Sequence, residues 1–581
     1  MTSYGDLVDR LESLVKTPLY LMVGITSDRI VYYTSSEGVF RLWSSGLSGE
    51  DAKPISGGRI TGVYRSMPWE RYVFYTRDVT KGAEVSQIYA YDFKEELEFE
   101  ALDMRHTRVV GLAHHGDKIV YTGSGENGIS LYIGDVGGRS EEILVKPTLM
   151  FVNGFDGRYI VGSGRFHGNP TSMELFRYDL KNDEFNVFTP EEGSMNSASS
   201  IMDGKTLVRS DYGGRDWIYY LDVESFNKEG FEPTKNPGVE SVLDVGNPIW
   251  LSTGEPAYTV MTKDGVAAVV GEEVISKDGD TIYPGEKYRG SLYVTYTSFK
   301  TPTSIFRFEN GEFIKIHGAD SSEALGGLEF SIEHTWVKSS DGLEIPVWIL
   351  ENKEIDKPGP TIIYVHGGPW SSVMNSWSVL ILGLLISGFH VVAPNFRGST
   401  GYGTKFMKMD IGDPGGMDME DVAAATRYAV EIGLASNKAI MGYSYGGFMT
   451  FLSTVKKPDL WDAGVAGAGI VDWEMMYRMS DPFFKYFIDM LFMGNRDLMR
   501  ERSAINFVER LEKPLCIIHS QNDSRTPLKP VLKYMERLLE HGKSFEAHII
   551  PDLGHGVEKT EDLFKILFPA ILFLNRVFGK K

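Results

Sequence analysis

Two kinds of hydrophobic spacing divide the chain. From about residue 19 to 325, short runs of aromatic and β-branched residues alternate with Gly, Asp and Asn turns, the pattern of many short strands. The segments SDRIVYYT, ERYVFYTRD, GDKIVYTGS, DGRYIVGSG, DGKTLVRSD, PAYTVMTKDG and GSLYVTYTS repeat one unit of turn, strand, loop and second strand. With Val31, Val73, Val120, Val161, Val208, Val260 and Val294 as markers, the spacing runs from 34 to 52 residues. That period suits four-stranded propeller blades, and seven markers predict seven blades. A β-sandwich pair or an irregular β-domain is the alternative, since no blade carries a Trp-Asp dipeptide. Ahead of this region, Leu7, Leu11, Leu14 and Val15 recur at helical spacing and predict an amphipathic helix within residues 1–18.

From about 326 to 581 apolar strand runs alternate with helical stretches, which predicts a mostly parallel sheet covered by helices. The strands read TIIYVH, FHVVAPN, KAIMGY, AGVAGAG, PLCIIHS and EAHIIP. DMEDVAAATRYAVEIG is acidic in its first turn and LKPVLKYMERLLEHGK is basic toward its end, as the helix dipole favours. The chain is therefore expected to be a multidomain protein, all-β in its first half and α/β in its second.

Composition narrows the functions. A net charge of −20 repels phosphate backbones and anionic membrane surfaces, so neither nucleic acid nor membrane is an expected partner. The longest apolar run, VLILGLLI, is far short of the ~20 residues that span a bilayer. A single cysteine, Cys516, excludes an intrachain disulfide; cytoplasmic residence fits, and the apolar run around it predicts a buried, inert thiol.

The chemistry-bearing stretch is Gly442-Tyr443-Ser444-Tyr445-Gly446. A lone G-x-S-x-G is weak in a glycine-rich chain. Here the strand KAIMGY leads in and the helical stretch GFMTFLSTV leads out, which meets the condition for a nucleophile elbow with an exposed serine hydroxyl. That hydroxyl needs an imidazole to take its proton. Chain order in such folds is Ser, acid, His, so His366, His390 and His519 come too early. His541 ends a helix and His548 lies inside a strand, whereas His555 sits in the loop PDLGHG past the last strand. The acid that orients the ring is expected to be Asp523, in SQNDSRTP after the strand LCIIH, with Asp552 as the alternative on His555's own loop. Oxyanion donors are expected from the Tyr445 amide and, in YVHGGPW, the Gly368 amide. No phosphate-binding P-loop, dinucleotide fingerprint or H-E-x-x-H occurs, so neither cofactor nor metal is implied.

With VHGGP, PNFRGSTGYG, MGYSYGG, GVAGAGIVDWEMMY, QNDSRTPLKP and FEAHIIPDLGH, the chain resembles the prolyl oligopeptidase family of serine peptidases, most closely its archaeal acylaminoacyl peptidases. The resemblance implies a seven-bladed β-propeller (19–325) followed by an α/β-hydrolase domain (326–581), with the N-terminal helix (1–18) packed on the latter. It implies hydrolysis of short N-acylated peptides to release an acylamino acid, with esterase activity on the side. Ser444, Asp523 and His555 would be the triad, Gly368 and Tyr445 the oxyanion hole, and Arg525 the holder of a substrate carbonyl. Trp473, Phe484, Phe487, Ile488 and Leu491 would line a pocket for a bulky side chain, unless that stripe is a helix's share of the core. A dipeptidyl peptidase of the same family would need paired glutamates for a free amine; Glu95-Glu96, Glu141-Glu142 and Glu191-Glu192 lack the family context. A prolyl endopeptidase or a carboxylesterase would share the triad, and a non-enzymatic propeller protein would not need one. A homo-oligomer is left open.

Overall fold

The computed structural model describes residues 4–65 and 71–579; residues 1–3, where the expected N-terminal helix begins, 66–70 in the expected propeller, and 580–581 lie outside the described residues. Helix α1 (Tyr4–Lys16) buries Leu11, Leu14 and Val15 in one core with Leu382, Leu385, Ile571 and Leu574 of the C-terminal half. Arg10 Nη2 also donates to the Leu325 carbonyl at 2.9 Å. The first helix is thus part of the last domain's core, although the whole β-region separates them in sequence.

The β-region is a propeller of antiparallel sheets in simple sequential order. The first sheet runs Tyr20–Thr26, Arg29–Thr34, Arg41–Ser45 and Lys53–Pro54. Each marker valine falls in the second strand of a unit, Val31 in Arg29–Thr34, Val120 in Lys118–Ser124, Val294 in Ser291–Thr297, and all seven are buried. An inner strand has neighbours on both edges and sheets on both faces, which is why the repeat is most apolar there. The ring closes where Tyr20 N donates to Thr303 O at 2.9 Å and Ile25, Ile30 and Tyr32 pack with Tyr293 and Ile305.

Seven separate blades were expected, and five four-stranded sheets stand apart. The last eight strands, Asp244–Trp250 to Glu312–His317, are hydrogen-bonded into one sheet. The cause is local. The strand Glu273–Ile275 is three residues long and pairs only with Ala268, Val269 and Val270, so it leaves Val266 uncovered on that edge. Thr281 of the next strand takes the place with one parallel bridge to Val266. All other pairings on either side are antiparallel.

The C-terminal sheet has eight strands: β1 (Phe330–Lys338), β2 (Glu344–Asn352), β3 (Gly359–Val365), β4 (His390–Pro394), β5 (Ala435–Tyr443), β6 (Ala463–Gly467), β7 (Leu515–Ser520) and β8 (Phe545–Ile550). Their order is β1-β2-β4-β3-β5-β6-β7-β8, antiparallel through β2/β4 and parallel beyond. The six parallel or near-central strands match the apolar runs in the sequence. The hairpin β1–β2 was not among them, because no helix separates its strands to mark the alternation.

Helices α2 (Val379–Ile386), α3 (Met417–Glu431), α4 (Tyr445–Lys456), α5 (Trp473–Met479), α6 (Pro482–Leu491), α7 (Leu528–Glu540) and α8 (Thr560–Val577) cover this sheet. The run VLILGLLI is α2, apolar nearly all round because α1 and α8 cover it. A Cβ on Gly383 would stand 2.5 Å from Leu567 Cδ2, so the α2–α8 contact needs the glycine. Among the described residues no helix is long and apolar enough to cross a membrane.

Leu14→Ala in α1 should cost about 3 kcal/mol, as a large-to-small change in a closed core does. Half-buried Leu7→Ala should cost much less; chemical unfolding followed by tryptophan fluorescence compares the two midpoints.

Candidate active site

The turn between β5 and α4 is set by backbone crowding. Ser444 has φ 61° and ψ −119°, a region that residues with a side chain rarely occupy. Its amide donates to Gly467 O at 2.9 Å. A Cβ on Gly442 would lie 2.4 Å from Gly446 C, one on Gly446 2.0 Å from Val365 O, and one on Gly447 2.4 Å from Gly467 O. Glycine at these positions lets β3, β5, β6 and the start of α4 meet, and the meeting turns Ser444 out at the sheet's carboxyl edge.

Two other loops at that edge deliver the expected partners. His555, past β8, places Nε2 3.0 Å from Ser444 Oγ and Nδ1 2.7 Å from Asp523 Oδ2. Asp523, past β7, accepts from the amides of Arg525 (2.9 Å) and Thr526 (2.8 Å) and from the Thr526 hydroxyl (2.9 Å). Burial alone would raise this carboxyl; the His555 ring beside it, with the Thr526 amide, outweighs burial and holds it below the ordinary range. Tyr443 OH donates to the His555 carbonyl at 3.0 Å and so fixes the loop that carries the ring. Asp552, the alternative acid, is exposed and pairs with Lys81 of the propeller at 3.0 Å.

Two other buried histidines, His519 and His366, have structural places. His519 Nε2 lies 2.7 Å from the Thr526 carbonyl, and burial lowers its pKa. Burial pushes His366 down to about 4; its Nδ1 lies 2.7 Å from Gly367 O and its Nε2 2.8 Å from Ser399 Oγ, so a neutral ring braces the glycine loop.

Ser444, Tyr445 and Gly368 open on one cavity of about 410 Å³ between the two domains. Tyr445 is the first residue of α4, so its amide belongs to the orphan donors of a helix N-terminus. At Gly368 φ is 130°, and a Cβ would sit 2.7 Å from Trp370 N. The cavity's apolar wall contains Trp473, Phe484 and Phe487, as the sequence suggested, together with Phe483 and Met476. Ile488 and Leu491 are corrected: both are fully buried in the core with Phe448 and Phe492. Successive residues of a helix point in different directions, so Phe484 and Phe487 reach the cavity while Ile488 and Leu491 pack into the core beside them.

The propeller supplies the opposite wall, including Phe151, Val109, Glu84 and Arg108. Arg525 lines the cavity and pairs with Glu84, Nη2 to Oε1 at 2.6 Å. Glu84 also pairs with Arg108, whose Nε reaches Asp481 Oδ2 at 2.7 Å and whose Nη2 donates to Ser524 Oγ at 2.9 Å. Burial opposes ionisation of Glu84, and the two guanidinia overcome it and hold the carboxyl below its usual range. Sequence reasoning missed Glu84 and Arg108; they sit in loops and strand ends without a local motif, and only the docking of two domains brings them here.

Among the described residues one group of three His, Cys or acidic side chains has ligand atoms within 4.8 Å of one another: Cys516, Glu546 and His548 on β7 and β8. The Arg576 guanidinium of α8 already sits on Glu546. Cys516 is buried and its thiol is pushed far up, in accord with an inert residue.

Propeller, eight-stranded sheet and a serine–histidine–carboxylate chain at the sheet's edge together define the class of propeller-bearing α/β-hydrolase folds. Residues 376–581 match the model of the prolyl oligopeptidase family, and residues 31–306 that of the acylamino-acid-releasing enzyme-like N-terminal domain. Residues 376–581 thus form a domain of the prolyl oligopeptidase family, preceded by a domain of the acylamino-acid-releasing enzyme-like kind. The chain is 29% identical over 217 residues to dipeptidyl aminopeptidase BIII of Pseudoxanthomonas mexicana, 36% of this chain and 32% of that protein. To acylamino-acid-releasing enzyme 1 of Oryza sativa subsp. japonica it is 25% identical over 385 residues, 63% of this chain and 46% of that one. The chain thus spans less than half the length of these curated relatives. A chain from a structural study of two prolyl endopeptidases superposes with a TM-score of 0.85 at 14% identity, covering 99% of this chain and 92% of its own.

Gly446→Ala should force the elbow apart, since the new methyl would lie 2.0 Å from Val365 O. A displacement of ~1 Å at reacting groups costs about 100-fold; the rate of Ser444 labelling by an organophosphonate should fall by that order.

Proposed function

We propose that the protein is a serine exopeptidase that hydrolyses short N-acylated peptides and releases the N-terminal acylamino acid. His555 Nε2 takes the proton of Ser444 Oγ as that oxygen attacks the carbonyl carbon of the scissile bond. The carbonyl oxygen becomes an oxyanion facing the Gly368 and Tyr445 amides. Collapse gives an acyl-enzyme as the imidazolium protonates the leaving amine; water, deprotonated by the same imidazole, then attacks the acyl carbon, and Ser444 Oγ leaves with that proton to free the acylamino acid. Asp523 holds the ring in the tautomer that presents Nε2 to Ser444 and stabilises its charge once formed. Esters would be cleaved by the same steps. Trp473, Phe484, Phe487 and Met476 suit a bulky apolar side chain at the scissile residue, and Arg525 reaches the same cavity to hold a substrate carbonyl.

The observation that favours a blocked amine is the state of Glu84. It is the one acidic side chain among the described residues lining the cavity, and two guanidinia occupy it. An ammonium entering there would meet Arg108 and Arg525 without a free carboxylate, whereas an acyl group carries no charge. The glutamate pairs 95–96, 141–142 and 191–192 do not line this cavity. The propeller over the site would admit short peptides and exclude folded chains. We read the eight-stranded sheet as two blades joined by the Val266–Thr281 bridge, which makes the ring seven-bladed.

A panel of chromogenic substrates tests the assignment: acetylated Leu or Phe, an unblocked dipeptide, an internal-proline peptide and a short acyl ester. The acetylated amino acids should be turned over best, and preference for the unblocked dipeptide would overturn the reading. Asp523→Asn should lower kcat by about 10⁴ through the wrong imidazole tautomer, as in other serine proteases. Arg525→Ala should lower kcat/KM for acyl peptides by about tenfold, the worth of one charge-assisted hydrogen bond, with rapid-mixing kinetics dividing the loss between KM and kcat.

A further inference from the structure

Behind the two oxyanion donors lies a pair of carboxyl groups with no cation among the described residues paired to either. Asp410, in the turn Lys408–Asp410, and Asp418, in the first turn of α3, are both 1% exposed. Asp418 accepts from the amides of Gly415 (3.0 Å) and Met419 (2.8 Å) and from the Tyr445 hydroxyl (2.6 Å). Asp410 Oδ1 accepts from Trp370 Nε1 at 3.2 Å, and its Oδ2 has no hydrogen-bond partner among the described residues. The charged groups on neighbouring elements are engaged elsewhere: Arg397 with Asp421 and Asp341, Lys408 with Asp211, and Arg502 with Asp413. The loop after β4 confines the site, since a Cβ on Gly398, where φ is 100°, would stand 2.8 Å from Asp410 Cγ.

Each carboxyl holds a residue that shapes the oxyanion hole. Trp370 is two residues past Gly368, whose Cβ position would touch its amide, and its ring packs edge-on against Phe487 of the cavity at 6.0 Å. Tyr445 carries the other donor amide, and its ring lies between Phe396 at 5.9 Å and Phe448 at 5.0 Å. We propose that Asp410 and Asp418 form a positioning pair that fixes both amide donors of the oxyanion hole, Asp410 through Trp370 and Asp418 through the Tyr445 hydroxyl. The inference rests on the reading of Ser444 as nucleophile and of Gly368 and Tyr445 as donors.

The protonation of the pair follows from its surroundings. Burial, then the charge of Asp418, holds the Asp410 carboxyl well above the ordinary range, and burial raises Asp418 to about 6 against its three donors. Burial and both aspartates likewise keep the Tyr445 phenol neutral. Two charges in one dry site are disfavoured, and a proton on Asp410 leaves Oδ1 free to accept from Trp370. Alkaline ionisation of Asp410 puts a second charge into the same dry site and drives the two holders apart.

Asp410→Ala should lower kcat on an acetylated phenylalanine anilide by about tenfold, a fraction of what loss of a whole oxyanion donor costs, with KM changed less than about twofold. Asp410→Asn, neutral and still an acceptor for Trp370, should recover most of that loss and lack the wild type's alkaline fall in kcat. A carboxyl raised in the folded state costs stability increasingly as pH climbs from the ordinary carboxylate range through the folded value. Asp410→Asn should therefore raise Tm at pH 8 more than at pH 5. Trp370→Phe, which leaves both carboxyls in place and serves if Asp410→Ala does not fold, should reproduce the kcat loss. Unchanged kcat in Asp410→Ala and Trp370→Phe, or an alkaline limb retained in Asp410→Asn, overturns the pair's role while organophosphonate labelling of Ser444 stands. No labelling of Ser444 in the wild type overturns the functional reading and this role with it.

Discussion

The constraint on which the site depends is the contact of three backbones with the start of α4. Val365 O, Gly467 O and the Gly446 carbonyl lie where ordinary residues would carry Cβ atoms, so only glycine permits the packing. Once those backbones meet, Ser444 can continue from β5 into α4 only through a positive φ, and its hydroxyl is carried above the sheet edge. The strain at one residue is held by the hydrogen-bonded sheet on both sides. It leaves Ser444 Oγ where His555 Nε2 stands 3.0 Å away.

The remaining parts of the site are fixed by burial of polar groups in pairs. Asp523 is withdrawn from water yet stays ionised because the ring, two amides and a hydroxyl face it. His366 is withdrawn from water and stays neutral, which suits a brace and not a base. Asp410 and Asp418 are withdrawn together, and burial, then the charge of Asp418, raises the Asp410 carboxyl above the ordinary range. For Asp523 the local amides of Arg525 and Thr526 act together with the distant His555 ring.

Docking of the propeller completes the cavity. Glu84, Arg108 and Arg525 form a charged cluster across the domain junction, and Phe483 meets Phe151 edge-on at 6.0 Å beside it. The same junction is tight at the histidine loop, where Gly82 and Gly554 approach so closely that a Cβ on either would overlap the other's backbone. The propeller is thus in direct contact with the loop that carries His555, and its position bears on the geometry of the ring as well as on access. Enclosure by two domains also lowers the local dielectric around Ser444, His555 and Asp523, which strengthens the electrostatic contacts among them.

Local periodicity and motif chemistry were enough to place much of this in advance. The marker valines fell on inner strands because burial on both faces selects the same residues at each repeat, and the elbow, Asp523, His555 and Gly368 were legible because each follows an apolar strand run at a fixed end. The hairpin β1–β2 escaped because it lacks the strand–helix alternation, and the joined final sheet escaped because a three-residue strand and one bridge leave no compositional trace. Ile488 and Leu491 share a stripe with Phe484 and Phe487, so spacing alone could not tell cavity from core; the packing of α6 against Phe448 and Phe492 decided it. Glu84 and Arg108 at the cavity, and the hold of Asp410 on Trp370 and of Asp418 on Tyr445, exist only as contacts between separate segments of the chain. A side chain's own neighbours fix its backbone preference, but its solvation and charge partners are set by packing, and those belonged to the tertiary structure alone.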